Sequence, residues 1–142
     1  MDVVFVYGTL TNFANVSKLL EEFSFGPSAV CYGLTRVKGR YPTLIPGEQV
    51  AGRILVTPEI GRLDEYEGVD HGLYCRVSIP LSDRMPNTAG STISVDAVET
   101  YIGDPTTLGI SQPVEWSESG SFKQRVTAYV DSNQVHVTTT CD

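Results

Sequence analysis

Glu67 is the residue whose type and position first raise a question of chemistry. It closes the stretch VTPEIGRLDEYEG, residues 56–68. Thr57 suits an N-cap, Pro58 the first helical position, Glu59 the positive end of a helix and Gly68 its stop, so a helix is expected from about Pro58 to Glu67. With Ile60 at zero and about 100° per residue, Leu63 falls at about −60° and Glu67 at about −20°, whereas Asp64 falls at about 40° and Glu65 at about 140°. Glu67 thus points into the apolar stripe, Asp64 lies at its edge and Glu65 faces solvent. A carboxylate on a core-facing stripe is costly unless paired or hydrogen-bonded. If desolvated, its pKa rises toward neutrality, as a general acid/base requires. Two other readings stand beside this one: Glu67 reaches a basic partner such as Arg76, or the helix frays before it.

The second feature is the N-terminal VVFVYGTL, residues 3–10. Val3–Val6 reads as a buried strand, Tyr7 ends it, and Gly8 permits a tight turn. Asn15–Phe23 carries Val16, Leu19, Leu20 and Phe23 on one helical face. A loop between strand and helix can present backbone N–H groups to an anion. It can equally be a plain connection, since one glycine is far short of a phosphate-loop signature.

Other reactive side chains form no pattern. His71 and His136 have no Ser or Cys in a nucleophile elbow and no carboxylate-rich spacing, so neither a triad nor a metal site is expected. Cys31, Cys75 and Cys141 are odd in number and widely spaced, without a CxxC pair; Cys31 and Cys75 read as core residues. Trp116 beside Pro113 reads as a packing cluster.

The elements that would position these groups are mostly strands: 3–7, 28–36, 49–56, 74–81, 94–102 and 125–130, with a further one at 135–139. Turn signals fall at 39–42, at Pro46-Gly47, at Asn87 and at 103–105. A weak helix is expected near Gln112–Trp116, and 85–93 reads as a polar hairpin loop. Many strands and few helices predict a mixed α/β (α+β) domain over 1–142, a small β-barrel of about six or seven strands with a few short helices. The 142 residues carry 10 Lys+Arg against 17 Asp+Glu, a net charge of −7. That balance argues against nucleic-acid and anionic-membrane partners. No run approaches a membrane span and no signal peptide is visible, so a cytoplasmic location is expected.

Taken together, VFVYGTL, GRYPTLIPG at 39–47, VAGRILV at 50–56, LDEYEGVDHGLYCRV at 63–77 and AVETYIG at 97–103 resemble the gamma-glutamylcyclotransferase-like family, in order and spacing, from residue 3 to about 103. The resemblance implies a barrel with a pocket at its mouth and Glu67 as catalytic acid/base. It implies that Tyr7, Gly8, Thr9 and Leu10 offer backbone N–H groups to the substrate, that Arg40, Tyr41 and Pro42 form a pocket wall, and that Tyr74 and Tyr101 border the site. The implied reaction cyclises a small-molecule gamma-glutamyl amide or amine to 5-oxoproline without metal or cofactor. Two departures stand out. Relatives continue the loop with Gly and an Asn-His pair, where this chain has Thr11-Asn12-Phe13-Ala14-Asn15. The 85–93 loop and the tail from 104 are this protein's own, so the released amine and the oligomeric state are not set by the resemblance. The rival classes are a non-catalytic binding module on the same barrel and an interaction protein using the tail. An intact Glu67 and loop favour the enzyme.

Overall fold

A computed structural model describes residues 2–37, 42–69, 72–81, 97–104, 108, 116 and 120–139. The elements are β1 (Asp2–Val6), a 3-10 turn (Thr9–Thr11), α1 (Phe13–Leu19), β2 (Ser24–Val37), β3 (Thr43–Thr57), α2 (Ile60–Tyr66), β4 (Tyr74–Pro80), β5 (Ala97–Gly103), α3 (Phe122–Ser132) and β6 (His136–Thr139). The strands form one curled sheet in the order β4-β5-β1-β3-β2-β6. Among the described strand pairs β1–β5 is parallel and the rest are antiparallel. Among the described residues the two edges meet at a parallel bridge between Leu81 and Val137. The strand count and mixed class match the sequence expectation, with the sheet curled into a half-barrel.

β1 lies inside the sheet, and its alternation explains its unbroken apolar run. Val3 and Phe5 join one buried cluster with Val126 and Val130 of α3, while Val4 and Val6 join another with Val16 of α1 and Leu63 of α2. A strand covered on both faces has no solvent side to mark with polar residues.

Several expectations are corrected. The segment 125–130, expected as a strand, is helical. Ser121 and Gln124 make a capping box, with Ser121 N donating to Gln124 Oε1 at 2.9 Å and Gln124 N to Ser121 Oγ at 3.2 Å. Val126 and Val130, four apart, then bury one face. The strand propensity of the β-branched Val126, Thr127 and Val130 is overridden by that cap. Pro46-Gly47 is not a turn: β3 already begins at Thr43, and the register slips between Tyr32/Gln49 and Leu34/Pro46, a bulge inside the β2–β3 pair. α1 begins earlier than expected, at Phe13, because Asn12 caps it through Ala14 N at 2.8 Å and Asn15 N at 3.3 Å. The expected helix near Gln112–Trp116 and the 85–93 loop lie outside the described residues. Trp116 itself is buried edge-on against Phe122 and Tyr129.

α2 also starts differently. Glu59, not Thr57, is its N-cap, and its carboxylate is turned to the chain between α1 and β2. It accepts from Glu21 N at 2.9 Å and Glu22 N at 2.7 Å and pairs with Arg62 Nε at 3.3 Å. Thr57 Oγ1 accepts from Glu59 N at 3.0 Å and donates to Glu22 O at 2.7 Å. These contacts seat the helix that ends at Glu67. Glu59→Ala is expected to lower stability by about 2 kcal/mol, since two hydrogen bonds to a charged acceptor are lost at a partly solvated site. A urea midpoint shifted at constant m value checks this; an unchanged midpoint would leave the clip without energetic weight.

Candidate functional site

Three elements converge at the end of β1. The chain leaves β1 at Tyr7 and turns at once. Thr11 donates to the Gly8 carbonyl twice, from its N at 3.1 Å and its Oγ1 at 2.7 Å. Arg36 Nη1 reaches Tyr7 O and Arg53 Nη1 reaches Thr11 O, each at 3.4 Å. The carbonyls of Tyr7, Gly8 and Thr11 are therefore occupied. The leading N–H groups of a helical turn have no acceptor within it, so those of Thr9 and Leu10 have none inside this turn. Gly8 does not adopt a left-handed backbone. A Cβ there would meet nothing nearer than Pro42, at 3.9 Å. The turn does not require glycine at position 8; bareness of the pocket wall is what it supplies.

α2 brings the carboxylate. The helix proper ends at Tyr66, but Glu67 keeps right-handed angles (φ −81°, ψ −3°) and its N–H donates to Leu63 O at 2.9 Å. Helical spacing therefore holds as far as Glu67. Gly68 follows at φ 68°, a left-handed stop. Glu65 is exposed, as its angle predicts. Arg76 does not pair with Glu67: its Nη1 donates to Asp64 Oδ2 at 3.0 Å and Oδ1 at 3.3 Å.

β4 and β5 supply aromatic walls. Tyr74 donates its hydroxyl to Pro42 O at 2.6 Å, and Tyr101 donates to Asp64 Oδ1 at 2.7 Å. The Tyr7 hydroxyl donates to the Tyr101 carbonyl. The result is a pocket of about 360 Å³ lined by Phe5, Val6, Tyr7, Gly8, Leu10, Pro42, Tyr66, Glu67, Leu73, Tyr74 and Tyr101. Of the residues singled out from the sequence, it brings together Tyr7, Gly8, Leu10, Pro42, Glu67, Tyr74 and Tyr101. Thr9 lies in the same turn through its backbone. Arg40 and Tyr41 lie outside the described residues. Asp64 and Arg76 were not singled out as site residues; the signal for them is the i, i+3 spacing of Asp64 and Glu67 on one helix.

Electrostatics separate the groups. Burial pushes the Glu67 carboxyl up to about 7. Among the described residues no side chain hydrogen-bonds to it. Burial, then the neighbouring Tyr74 and Glu67, hold the Tyr7 phenol well above its ordinary value. Tyr101 is raised by burial and by its bond to Asp64. Burial pushes Cys31 up to about 12 and Cys75 up to about 11, so both are neutral thiols rather than nucleophiles near pH 7. Among the described residues, no three His, Cys, Asp or Glu side chains converge as a metal site would need, and no helix is long and apolar enough to cross a membrane. The arrangement sets one near-neutral acid beside a short helical turn in an aromatic pocket. Such a site can move a proton on a ligand whose anionic or carbonyl oxygen the turn holds.

Comparison with known proteins bears on the family and the fold. A family model described as gamma-glutamyl cyclotransferase, AIG2-like, matches residues 4–124. The match runs past residue 103, where the resemblance in sequence ended, and into α3. No curated protein matches the chain significantly. A solved structure described as a gamma-glutamyl cyclotransferase is 14% identical, with a TM-score of 0.57, over 92% of this chain and 98% of that one. An uncharacterized Homo sapiens protein aligns with the same values. An Arabidopsis thaliana protein solved in solution is 24% identical, with a TM-score of 0.53, over 94% of this chain and 84% of the other. At these identities the three structures speak for the fold.

Proposed function

Since the chain belongs to the gamma-glutamyl cyclotransferase, AIG2-like family, we propose that it cyclises a gamma-glutamyl amide or amine to 5-oxoproline, with Glu67 as general acid/base. The supporting observation is the half-buried Glu67 carboxyl, pushed up to about 7 by burial, in the pocket that also holds the Tyr7–Leu10 turn. A substrate α-ammonium has a pKa of about 7.7–8.0, within roughly one unit of that carboxyl, so proton transfer between them is nearly balanced. Glu67 takes that proton. The freed amine attacks the side-chain carbonyl, a C–N bond closes the five-membered lactam, and the amide C–N bond breaks. Glu67 returns its proton to the leaving nitrogen, and the second proton of the new ring nitrogen leaves with the released amine, which departs as its ammonium. The amides of Gly8–Leu10 hold the substrate carboxylate or the carbonyl oxygen as it gains charge; one such donor is worth about 3–4 kcal/mol in the transition state. The aromatic walls hold the substrate chain bent, which is much of the catalysis in an intramolecular attack. A cytoplasmic setting goes with this reading.

Mass-spectrometric detection of 5-oxoproline from a panel of gamma-glutamyl compounds is the direct test. No product from any of them would return the protein to the binding-module reading. Ligand class is tested separately. The turn carries no Lys or Arg of its own, so it suits one carboxylate rather than a triphosphate. Glutamate-like and 5-oxoproline-like acids at about 100 times Kd should raise Tm by about 5–10 °C, and ATP should not. Gly8→Ala should keep the Tm of the free protein and lose that protection, because its methyl enters the pocket. Protection by ATP with none from the small acids would overturn the assignment of the turn.

A further inference from the structure

Arg76 and Tyr101 stand directly opposite each other on β4 and β5, so their side chains leave the same face of the sheet. Both run to one carboxylate on α2. Asp64 Oδ1 accepts the Tyr101 hydroxyl at 2.7 Å, and Arg76 Nη1 spans Oδ1 and Oδ2 at 3.3 and 3.0 Å. The Tyr101 carbonyl accepts the Tyr7 hydroxyl. One residue of β5 is thus fastened by its main chain to the start of the pocket turn and by its phenol to the helix carrying Glu67. Asp64 and Glu67 are three apart on that helix, so their side chains start about 5–6 Å from each other. Pairing with Asp64 thus holds the Arg76 guanidinium to a residue one helical turn from Glu67. The Tyr101 phenol already senses Asp64, Arg76 and Glu67 together.

We propose that Asp64 is a positioning residue for Glu67: by engaging both Arg76 and Tyr101 it holds the guanidinium off the Glu67 carboxyl and fixes α2 against β5. The role rests on the acid/base reading of Glu67 given above. Among the described residues, the other titratable groups that line the pocket with Glu67 are tyrosines: Tyr7 from the turn, Tyr74 from β4, Tyr101 from β5 and Tyr66 from α2 itself. Arg76 is therefore the cation whose placement decides how Glu67 ionises among the described residues. An opposite charge within about 4–6 Å lowers a carboxyl pKa by about 1–3 units, enough to cancel the effect of burial. Glu67 would then be ionised throughout the neutral range and too weak a base for an α-ammonium.

Carbon-13 NMR of glutamate-labelled protein reads the Glu67 titration whether or not there is turnover. The midpoint of the unsubstituted protein should lie near 7. Asp64→Asn should lower it by about 1–3 pH units. The acid limb of kcat/KM for 5-oxoproline release should move with it, with KM little changed. Asp64→Asn/Arg76→Met should return the midpoint to the original value, an outcome a merely structural Asp64 would not give. A folded Asp64→Asn protein with an unmoved midpoint overturns the proposal. If Asp64→Asn does not fold, the double variant decides, since it leaves no half-broken ion pair. A midpoint raised by one pH unit or more there shows that Arg76 already acts on Glu67, and the proposal falls. If the midpoints shift as expected but no gamma-glutamyl compound is consumed, Asp64 keeps its role and the cyclotransferase reading fails.

Discussion

Glu67→Gln should lower 5-oxoproline formation by about 10²–10⁴-fold, the usual worth of a positioned acid/base. Gln keeps the size of the side chain and much of its hydrogen bonding, so protection by small acids should persist through the Gly8–Leu10 turn. Glu65→Gln is the matched control. Glu65 is exposed on the same helix, and its loss should leave turnover within about twofold, in line with the near-neutral cost of surface substitutions. Full turnover in Glu67→Gln alongside an inactive Glu65→Gln would mean that the wrong carboxylate had been named. Global unfolding of Glu67→Gln would mark Glu67 as a structural partner instead.

The same substitution carries a pH signature that separates these outcomes. Burial raises the Glu67 carboxyl from 4.5 to about 7. Between those values the folded protein keeps a proton that the unfolded chain has released. Stability from this group is therefore fully present below pH 4.5 and lost as pH rises toward 7. The full loss is about 3 kcal/mol. Gln does not ionise, so Glu67→Gln should exceed the parent in stability by more at pH 8 than at pH 5. Urea midpoints at the two pH values measure this. A variant less stable at pH 8 would mean that the carboxylate form is paired in the folded protein.

What the sequence disclosed about this site was what depends on short-range periodicity. The angle of Glu67 on its helix needs only the spacing from Ile60, and the backbone confirms it through the Glu67 N–H to Leu63 bond. The buried run of Val3–Val6 needs only the absence of charge. What stayed hidden depends on contacts between distant segments. Glu59 reads as a charge at a helix start, yet its carboxylate bonds to amides 37 and 38 residues earlier. Asp64 reads as an edge residue, yet its partners arrive from two strands placed opposite each other by register. At 125–130 the deciding signal was local: the Ser121–Gln124 box starts a helix that the β-branched Val126, Thr127 and Val130 then occupy. Pro46-Gly47 misled for the opposite reason, since turn residues also serve at bulges.

Gly52→Ala is expected to destabilise the protein by about 3 kcal/mol or more, beyond ordinary overpacking, because the clash is with backbone. Gly52 lies in the VAGRILV segment of β3, whose glycine has no evident role in the sequence. Its φ is not left-handed, so conformational freedom is not the reason for it. A Cβ at this position would stand 2.2 Å from the Val6 carbonyl oxygen and 2.7 and 2.9 Å from the Phe5 ring. A flexible side chain could swing aside, but a carbonyl at the end of an internal strand cannot without moving that strand. β1 is held on both sides, by β3 and β5. Tyr7 and Gly8 follow immediately on Val6, so any displacement passes straight into the turn facing Glu67. Gly52→Ala should therefore lower Tm by about 6–12 °C for a chain of this size. It should also weaken protection by small acids at temperatures where the variant is still folded. Gly61→Ala is the control: nothing lies within 4 Å of the added methyl, and an exposed position in α2 gains helix propensity from the change. Equal stability of Gly52→Ala and the parent would mean that β1 and β3 separate freely at this point, and the link between the VAGRILV glycine and the placement of the turn would be lost.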